Sequence, residues 1–308
     1  MEKIKLAAQR LKDGFLVAFP TETVYGLGAD ATNEDAVARI FKVKNRPSNH
    51  PLIVHLGVIE DLKKWAIEIP DYAFSLADKY WPGPMTLILK RNPQVNNFVT
   101  GGQNTIGIRV PNNETALSLI NEFRNIGSGA IAAPSANKFG KVSPTSFNHV
   151  YSELKNDLLP QDIILDGGDS EIGIESTIID CTNRLPKILR LGAVTSDLIL
   201  KIIDVDSSSV DSNIRFSGSF KSHYAPNAKV ILDGTPLPGD GFIALKDIDT
   251  PNEAIRISSP ENIEDFAREL YSSLRKADEL NLKRVIVRQP NGSGLAEAIR
   301  DRLSKASY

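Results

Sequence analysis

A polar run near the N-terminus, residues 20–28 (PTETVYGLG), has the residue types of a ligand-binding wall. Thr21, Thr23 and Tyr25 occupy alternate positions, and two glycines follow. Hydroxyl groups donate and accept hydrogen bonds, and glycines let a ligand come close to the backbone. The run predicts a binding wall at a strand end; a turn with exposed hydroxyls is the alternative that it leaves open.

The same glycines match the dinucleotide-binding pattern G-x-G-x-x-A over residues 26–31. A dinucleotide site places its first glycine directly after a strand and an acidic residue about 20 positions further on. Here Pro20 and five more residues intervene, and the later positions carry Arg46 and Pro47. The pattern therefore does not favour a dehydrogenase.

A second cluster places Lys44, Arg46, His50 and His55 within twelve residues. Guanidinium and ammonium groups form charge-assisted hydrogen bonds with phosphates and carboxylates, so the functional interpretation is an anion cradle. The alternative is that the two cations only complement the carbonyl groups at a helix end, while the histidines pack.

Small residues and hydroxyls recur in residues 132–137 (AAPSAN) and 140–145 (GKVSPT). Ser135 and Ser143 could bond phosphate oxygens there. The second run is not a P-loop, since no glycine stands five residues before its Gly-Lys pair, and the chain has no Gly-x-Ser-x-Gly elbow for a serine nucleophile. The sequence predicts a phosphate-binding loop of no standard nucleotide class.

Arg109 and Arg190 stand inside or beside apolar strand patterns, and Ser176 begins another. A charge in such surroundings costs free energy unless it is paired. Both arginines therefore need anions, either from Asp and Glu side chains or from a ligand.

The composition excludes several classes of protein. The chain has 308 residues with a net charge of −2, so it has no overall basic field for nucleic acid or anionic lipid. The single cysteine, Cys181, excludes an internal disulfide and a multi-cysteine metal site, and we interpret it as a small buried hydrophobe. The first ten residues lack a long apolar run, which predicts neither a signal peptide nor a membrane span. We expect a soluble, cytoplasmic protein.

Helix and strand patterns alternate through residues 1–206 and predict an α/β domain with a mixed sheet. A helix that starts near Thr32, capped by its hydroxyl, should deliver Lys44 and Arg46 at its C-terminal end. The predicted strands cover residues 15–19, 51–56, 85–90, 105–110, 130–133, 163–166, 176–180 and 187–191.

A small polar stretch at residues 206–213 predicts an exposed connection. We therefore divide the chain into an N-terminal α/β domain (1–206), a linker (207–227) and a C-terminal domain (228–308). The last part predicts short strands in a mainly parallel sheet and a long helix from about 263 to 280.

Together, these segments resemble the threonylcarbamoyl-AMP synthase family in its long, two-domain form. The resemblance covers nearly the whole chain because its motifs occur in order. They are residues 20–28, 44–47 with 51–54, 81–86, 105–111, 134–137 with 143–145, and 223–226.

The resemblance implies a YrdC-like fold, a twisted mixed sheet with helices around a cationic concave pocket, followed by a smaller Rossmann-like α/β domain. It also implies a nucleotidyltransferase that condenses L-threonine, bicarbonate and ATP to threonylcarbamoyl-AMP and pyrophosphate. The product would serve the downstream machinery that modifies adenosine 37 of tRNAs to N6-threonylcarbamoyladenosine. Such a reaction depends on positioning and charge, so no discrete acid, base or nucleophile is expected.

By motif position, the resemblance also implies two sets of contacts. Lys44 should face the phosphates, and Mg²⁺ should arrive with ATP. The threonine set is Thr23, His55, Arg109, Ala133 and Ser176. The ATP set is Lys44, Arg46, His50, Thr105, Ser135, Ser143, Arg190 and Tyr224.

In the long form, the linker motif at residues 223–226 (HYAP) is expected to fold over the nucleotide pocket, with Tyr224 in a gating role. Residues 217–222 depart from the family pattern. Two other functions share the fold. One is a double-stranded RNA-binding factor that uses Lys44, Arg46, Arg109 and Arg190. The other, hydrogenase maturation, needs extra zinc-finger and acylphosphatase-like regions, for which this length and a single cysteine leave no room.

Overall fold

The computed structural model describes residues 1–206, 214–219, 223–251 and 253–308. Among them, a ten-stranded mixed sheet frames the N-terminal part in the order β10-β9-β5-β6-β3-β7-β2-β1-β8, with β4 added beside β5. The strands are β1 (Val17–Phe19), β2 (Gly26–Asp30), β3 (Ile53–Leu56), β4 (Ala66–Ile67), β5 (Met85–Arg91), β6 (Thr105–Arg109), β7 (Ala130–Ala133), β8 (Ile163–Ile164), β9 (Thr177–Asp180) and β10 (Lys187–Arg190).

Helices surround this sheet. They are α1 (Glu2–Lys12), α2 (Glu34–Lys44), α3 (Leu62–Trp65), α4 (Asp71–Tyr80), α5 (Glu114–Ile126), α6 (Phe147–Leu154) and α7 (Ser196–Leu200). Parallel pairs (β3 with β6, β5 with β9) alternate with antiparallel ones (β2 with β7, β5 with β6), so the predicted mixed α/β sheet is confirmed.

Gly28, the second glycine of residues 20–28, is required by strand packing. The polar part of the run is the connection between β1 and β2, and both glycines lie in β2. A Cβ on Gly28 would lie 2.6 Å from Cγ2 of Ile131 and 2.8 Å from the ring of Phe19. Only glycine lets β2 pass this close to its neighbours.

Helix α2 ends at the start of the cationic cluster, but its cap differs from the prediction. The N-cap is Asn33, whose side chain accepts a hydrogen bond from the Ala36 amide at 3.0 Å. The predicted cap at Thr32 is wrong, because that hydroxyl bonds Asp30 instead. The helix ends at Lys44, where Asn45 adopts a left-handed conformation, so the predicted C-terminal end is confirmed.

The C-terminal part forms a second sheet, which is all-parallel as predicted. The strands are β11 (Lys229–Leu232), β12 (Gly241–Ile243), β13 (Ile255–Ser258) and β14 (Arg284–Val287), in the order β11-β14-β12-β13. Helices α8 (Ile263–Glu279) and α9 (Leu295–Ala306) accompany it. Helix α8 buries Phe266, Leu270 and Leu274, and each such side chain contributes about 1.5–3 kcal/mol to stability.

The two sheets share a hydrophobic core. Val24, Val142 and Ile174 from the N-terminal part pack with the buried side chains of α8 and α9. A Cβ on Gly173, where φ is +80°, would lie 2.5 Å from Cα of Arg268 in α8. The boundaries drawn at 1–206, 207–227 and 228–308 stay a prediction, and the polar stretch 207–213 lies outside the described residues.

Two sequence predictions concern single features. Cys181 is 2% exposed, as expected for a small buried hydrophobe, and burial raises the pKa of its thiol. Across the described ranges, none of the helices combines the length and the apolar character that a membrane span requires.

Candidate active site

A cavity of about 540 Å³, its open mouth included, lies where the sheet, the connection between β1 and β2, and residues 217–218 and 223–224 meet. Nine of the thirteen predicted site residues line it. The wall consists of Thr21, Thr23, Val24, Tyr25, Gly26, Arg46, Ile53, His55, Arg109, Ala133, Pro134, Ser135, Glu175, Ser176, Arg190, Ser217, Gly218, His223 and Tyr224.

Strand register brings the predicted threonine contacts together. His55 pairs with Arg109 across β3 and β6, and Ile53 pairs with Ala133 across β3 and β7. Directly paired residues share a face of a sheet, so these side chains converge although they are far apart in sequence.

Arg109 is buried and held in a fixed orientation. Its guanidinium lies 2.6 Å from a carboxylate oxygen of Glu22 and donates to the Thr23 hydroxyl at 2.9 Å and to the Gly83 carbonyl at 3.3 Å. Sequence reasoning asked for an anion beside Arg109 but missed Glu22. The signal was available, because this carboxyl sits between the two threonines of the run that the analysis singled out.

His55, which lies beside Arg109 on the cavity wall, is uncharged. Burial and the nearby Arg109 lower the pKa of its imidazole to about 3. Its Nδ1 lies 3.1 Å from the Ile53 carbonyl, and Phe19 meets the ring edge-on at 5.7 Å. At neutral pH it can exchange hydrogen bonds with a ligand without adding charge.

Arg190 and Ser176 form the opposite wall. Arg190 donates to the carbonyl and the hydroxyl of Ser176, at 3.0 and 3.1 Å, and to the Ser217 carbonyl at 2.8 Å. The Ser176 hydroxyl also lies 2.7 Å from that of Thr86. Burial lowers the pKa of Arg190, and its hydrogen bonds within the described residues go to neutral oxygens.

Arg46 is a second buried cation bound to neutral oxygens. It donates to the Pro51 carbonyl at 3.1 Å and lies 5.8 Å from the ring centre of Phe139. Burial lowers its pKa to about 10, and its Nε has no hydrogen-bond partner in the part of the chain that the structure describes. A buried guanidinium in this state has capacity for an anionic ligand.

Four predicted residues are not among those that line the cavity. The Lys44 ammonium donates to the carbonyls of Ser135 (2.6 Å) and Asn137, and burial lowers its pKa well below the ordinary value. It therefore supports the loop that carries Ser135 instead of facing the cavity. His50 packs near Phe139, with ring centres 6.0 Å apart.

The other two are Thr105 and Ser143. Thr105 is the first residue of β6, where it pairs with Lys90 of β5. Ser143 is fully buried, and its hydroxyl donates to Glu175 at 2.6 Å.

The linker closes one side of the cavity. Ser217, Gly218, His223 and Tyr224 lie on its wall, while residues 220–222 of the departing segment lie outside the described residues. Tyr224 is 1% exposed with φ of +63°, and burial raises its pKa to about 12. Its hydroxyl has no hydrogen-bond partner among the described residues.

Glu175 is a wall residue that sequence reasoning missed. Burial disfavours its charged form, but Arg302, Arg190 and hydrogen bonds from Ser143 and Arg302 outweigh this and lower its pKa to about 2. Arg302 lies 127 positions away in α9, so no local pattern could have indicated the pair.

Two family models match consecutive parts of this chain. The Sua5, YciO and YrdC model, described as telomere recombination, matches residues 9–192, and the model described as threonylcarbamoyl-AMP synthase, C-terminal domain, matches residues 194–307. The chain belongs to the Sua5, YciO and YrdC family. The sequence resemblance to this family is thereby confirmed.

Relatives within this family match along the full length. Threonylcarbamoyl-AMP synthases of Pyrococcus abyssi and Bacillus subtilis are each 38% identical over 99% of this chain, and over 94% and 93% of their own lengths. The structure of P. abyssi Sua5 complexed with L-threonine matches with a TM-score of 0.87 at 37% identity, over 99% of this chain and 94% of that one. Escherichia coli YciO, 24% identical with a TM-score of 0.53, covers 63% of this chain and supports the fold alone.

Proposed function

We propose that this chain is an L-threonylcarbamoyladenylate synthase that uses L-threonine, bicarbonate and ATP. The threonine amine and bicarbonate form a carbamate with loss of water. A carbamate oxygen then attacks the α-phosphorus of ATP, and pyrophosphate leaves. The product, threonylcarbamoyl-AMP, serves the modification of tRNA.

One observation carries this proposal: a single cavity offers two chemically different halves. The part of the wall formed by Thr23, His55 and Arg109 is polar, and the Arg109 guanidinium can pair with a carboxylate. The side of Arg46 and Arg190 places two buried cations, bonded to neutral oxygens, where phosphates need neutralisation. Full-length relatives named threonylcarbamoyl-AMP synthase support the same assignment.

The residues suit catalysis by positioning. Phosphoryl-transfer reactions need reactants in line and charge stabilisation more than a protein nucleophile. Arg46 and Arg190 would neutralise charge that develops on the phosphates, and Ser135 would add a hydroxyl. Arg109 would hold the threonine carboxylate so that the amine points toward the α-phosphate, while Tyr224 and the linker would exclude water.

Magnesium is proposed to come with ATP. Within the described ranges, no group of three or more His, Cys, Asp or Glu side chains is arranged to hold a metal ion. Glu175 is the only carboxylate that the described residues place on the cavity wall, and it is occupied by Arg302, Tyr271 and Ser143. We therefore propose that the oxygens of the ATP phosphates, together with water, would hold Mg²⁺.

The burial of four basic side chains argues against the RNA-binding alternative. Lys44, Arg46, Arg109 and Arg190 are each at most 8% exposed. A duplex binds through phosphates that contact exposed basic side chains, and these four are not exposed. We propose that tRNA is reached through the product and the downstream transfer machinery, in the cytoplasm.

Labelled bicarbonate tests the proposed reaction. Purified full-length protein should transfer the label to an AMP-containing product only when threonine and ATP are both present. Label in such a product without threonine, or none when all three substrates are present, would refute the assignment.

A further inference from the structure

The carboxylate of Glu175 collects hydrogen bonds from both parts of the chain. Its Oε1 accepts from the Ser143 hydroxyl at 2.6 Å, and its Oε2 accepts from the Tyr271 hydroxyl and from Nε of Arg302, each at 2.8 Å. Glu175 and Ser143 belong to the N-terminal part, whereas Tyr271 lies in α8 and Arg302 in α9. All four side chains are buried.

The same two C-terminal side chains also hold Tyr224. The Tyr271 ring stacks on the Tyr224 ring at 5.6 Å, and the Arg302 guanidinium lies 5.4 Å from the Tyr224 ring centre. Arg302 further donates to the Leu191 carbonyl at 2.9 Å, one residue beyond Arg190 on the cavity wall. Helices α8 and α9 thus contact the cavity wall or its neighbours at three residues, Glu175, Tyr224 and Leu191.

The stability of the fold does not by itself explain the buried ion pair between Glu175 and Arg302. A buried ion pair loses its hydration, and well-packed apolar side chains of similar volume often stabilise a fold as well or better. Separating the two partners would leave a buried charge unpaired, which costs free energy. The pair therefore holds its two side chains in one geometry. Here the geometry that it imposes is that of the cavity wall.

We propose that Glu175, Tyr271 and Arg302 are positioning residues for the nucleotide half of the cavity, and that through them the C-terminal module forms part of the ATP site. They fix the positions of Ser143 and of the Tyr224 ring beside the part of the cavity that Arg46 and Arg190 line. This inference rests on the proposed function for the identity of the ligand, ATP. It assigns a role to the C-terminal domain that goes beyond that function.

The test compares MgATP and threonine binding by calorimetry in Tyr271→Phe and Arg302→Met full-length protein. Tyr271→Phe keeps the stacked ring and removes only the hydroxyl bonded to Glu175. We expect MgATP affinity to fall about tenfold in each variant, since a lost hydrogen bond to a charged group has that scale, while threonine affinity stays within about twofold of the wild type. In turnover, the KM for ATP should rise more than kcat falls.

Arg284→Met is the matched control. It removes an ion pair with Asp240, at 3.3 Å, within the C-terminal sheet and away from the cavity wall. This control should lose thermal stability without a change in MgATP affinity. Should Arg302→Met fail to fold, Tyr271→Phe alone decides the question.

Unchanged MgATP affinity in folded Tyr271→Phe overturns the positioning role. Equal losses of MgATP and threonine binding also overturn it, because they indicate general loosening. Failure of the proposed function looks different: the wild-type protein itself would then bind no MgATP or form no product.

Discussion

Among the described residues, one of the three buried arginines of the cavity is paired with a carboxylate and two are not, and this difference predicts which substrate each binds. Arg109 shares its guanidinium between Glu22 and Thr23, and these contacts fix the orientation of the guanidinium. Arg46 and Arg190 donate their hydrogen bonds to neutral oxygens in the described residues, so none of those bonds goes to a carboxylate. We infer that Arg109 serves orientation and the other two serve phosphate neutralisation.

Two lysine substitutions separate these roles. Arg109→Lys keeps a cation for Glu22 but loses the planar fork, so threonine affinity should fall about tenfold or more while MgATP affinity changes little. Arg46→Lys should show the opposite pattern. Calorimetry with each substrate measures both, and Arg124→Lys, at a half-exposed pair with Asp61, is the control. The reverse pattern would contradict the map of the cavity.

The buried histidines predict an acid-sensitive fold. His55 and His223 have pKa values of about 3 because of burial, against an ordinary value near 6.5. Between those values the unfolded chain binds more protons, so the free energy of unfolding must decrease as pH falls. Stability is fullest above about pH 6.5.

Replacing His55 by Gln tests this dependence. The wild type should lose about 2 kcal/mol through this residue between pH 7.5 and pH 5, and His55→Gln should be spared that part of the loss. Denaturant unfolding at both pH values measures this loss. Between pH 7.5 and pH 9, the free energy of unfolding should change with pH in the same way in both proteins. Identical losses in both proteins would show that His55 is not buried as a neutral ring.

Sequence reasoning placed nine site residues on the wall because their motifs carried positional information. It misplaced the environment of Lys44 and Ser143, since each is bound by a partner 93 or 32 positions away, Asn137 and Glu175 respectively. Such pairings arise only when loops from distant elements pack together.

At the scale of elements, the cavity depends on loops that rigid strands hold in register. The predicted strands agree with the structure to within about two residues, because short apolar runs carry a strong periodic signal. Helix α6 and the short β4 escaped prediction. Strand β2 was read as part of the polar run, because Gly26 and Gly28 do not look like strand residues until the packing of Phe19 and Ile131 is known.

Gly218 is the element-scale test of the linker. A Cβ there would lie 2.5 Å from the Tyr224 hydroxyl, at a φ of +86°. Gly218→Ala should therefore displace Tyr224 and lower kcat/KM for ATP about tenfold or more. Gly239→Ala is matched to it, since φ is +81° and no atom lies within 4 Å. If both variants lose the same activity at the same loss of stability, Tyr224 does not need its observed position.

At the scale of the whole molecule, the C-terminal module packs against the residues of the cavity wall and their neighbours instead of standing apart from them. Its helices share a core with Val24, Val142 and Ile174 and reach Glu175 through Tyr271 and Arg302. The sequence predicted the second α/β module, but the composition shift that marked it could not indicate how closely it packs.

The central claim is that one cavity couples threonine to ATP, and pyrophosphate release measures it most directly. With the full-length protein, ATP and Mg²⁺, pyrophosphate should appear only when threonine and bicarbonate are both added, and omission of either should reduce the rate to background. Pyrophosphate release at an undiminished rate without threonine would contradict the account.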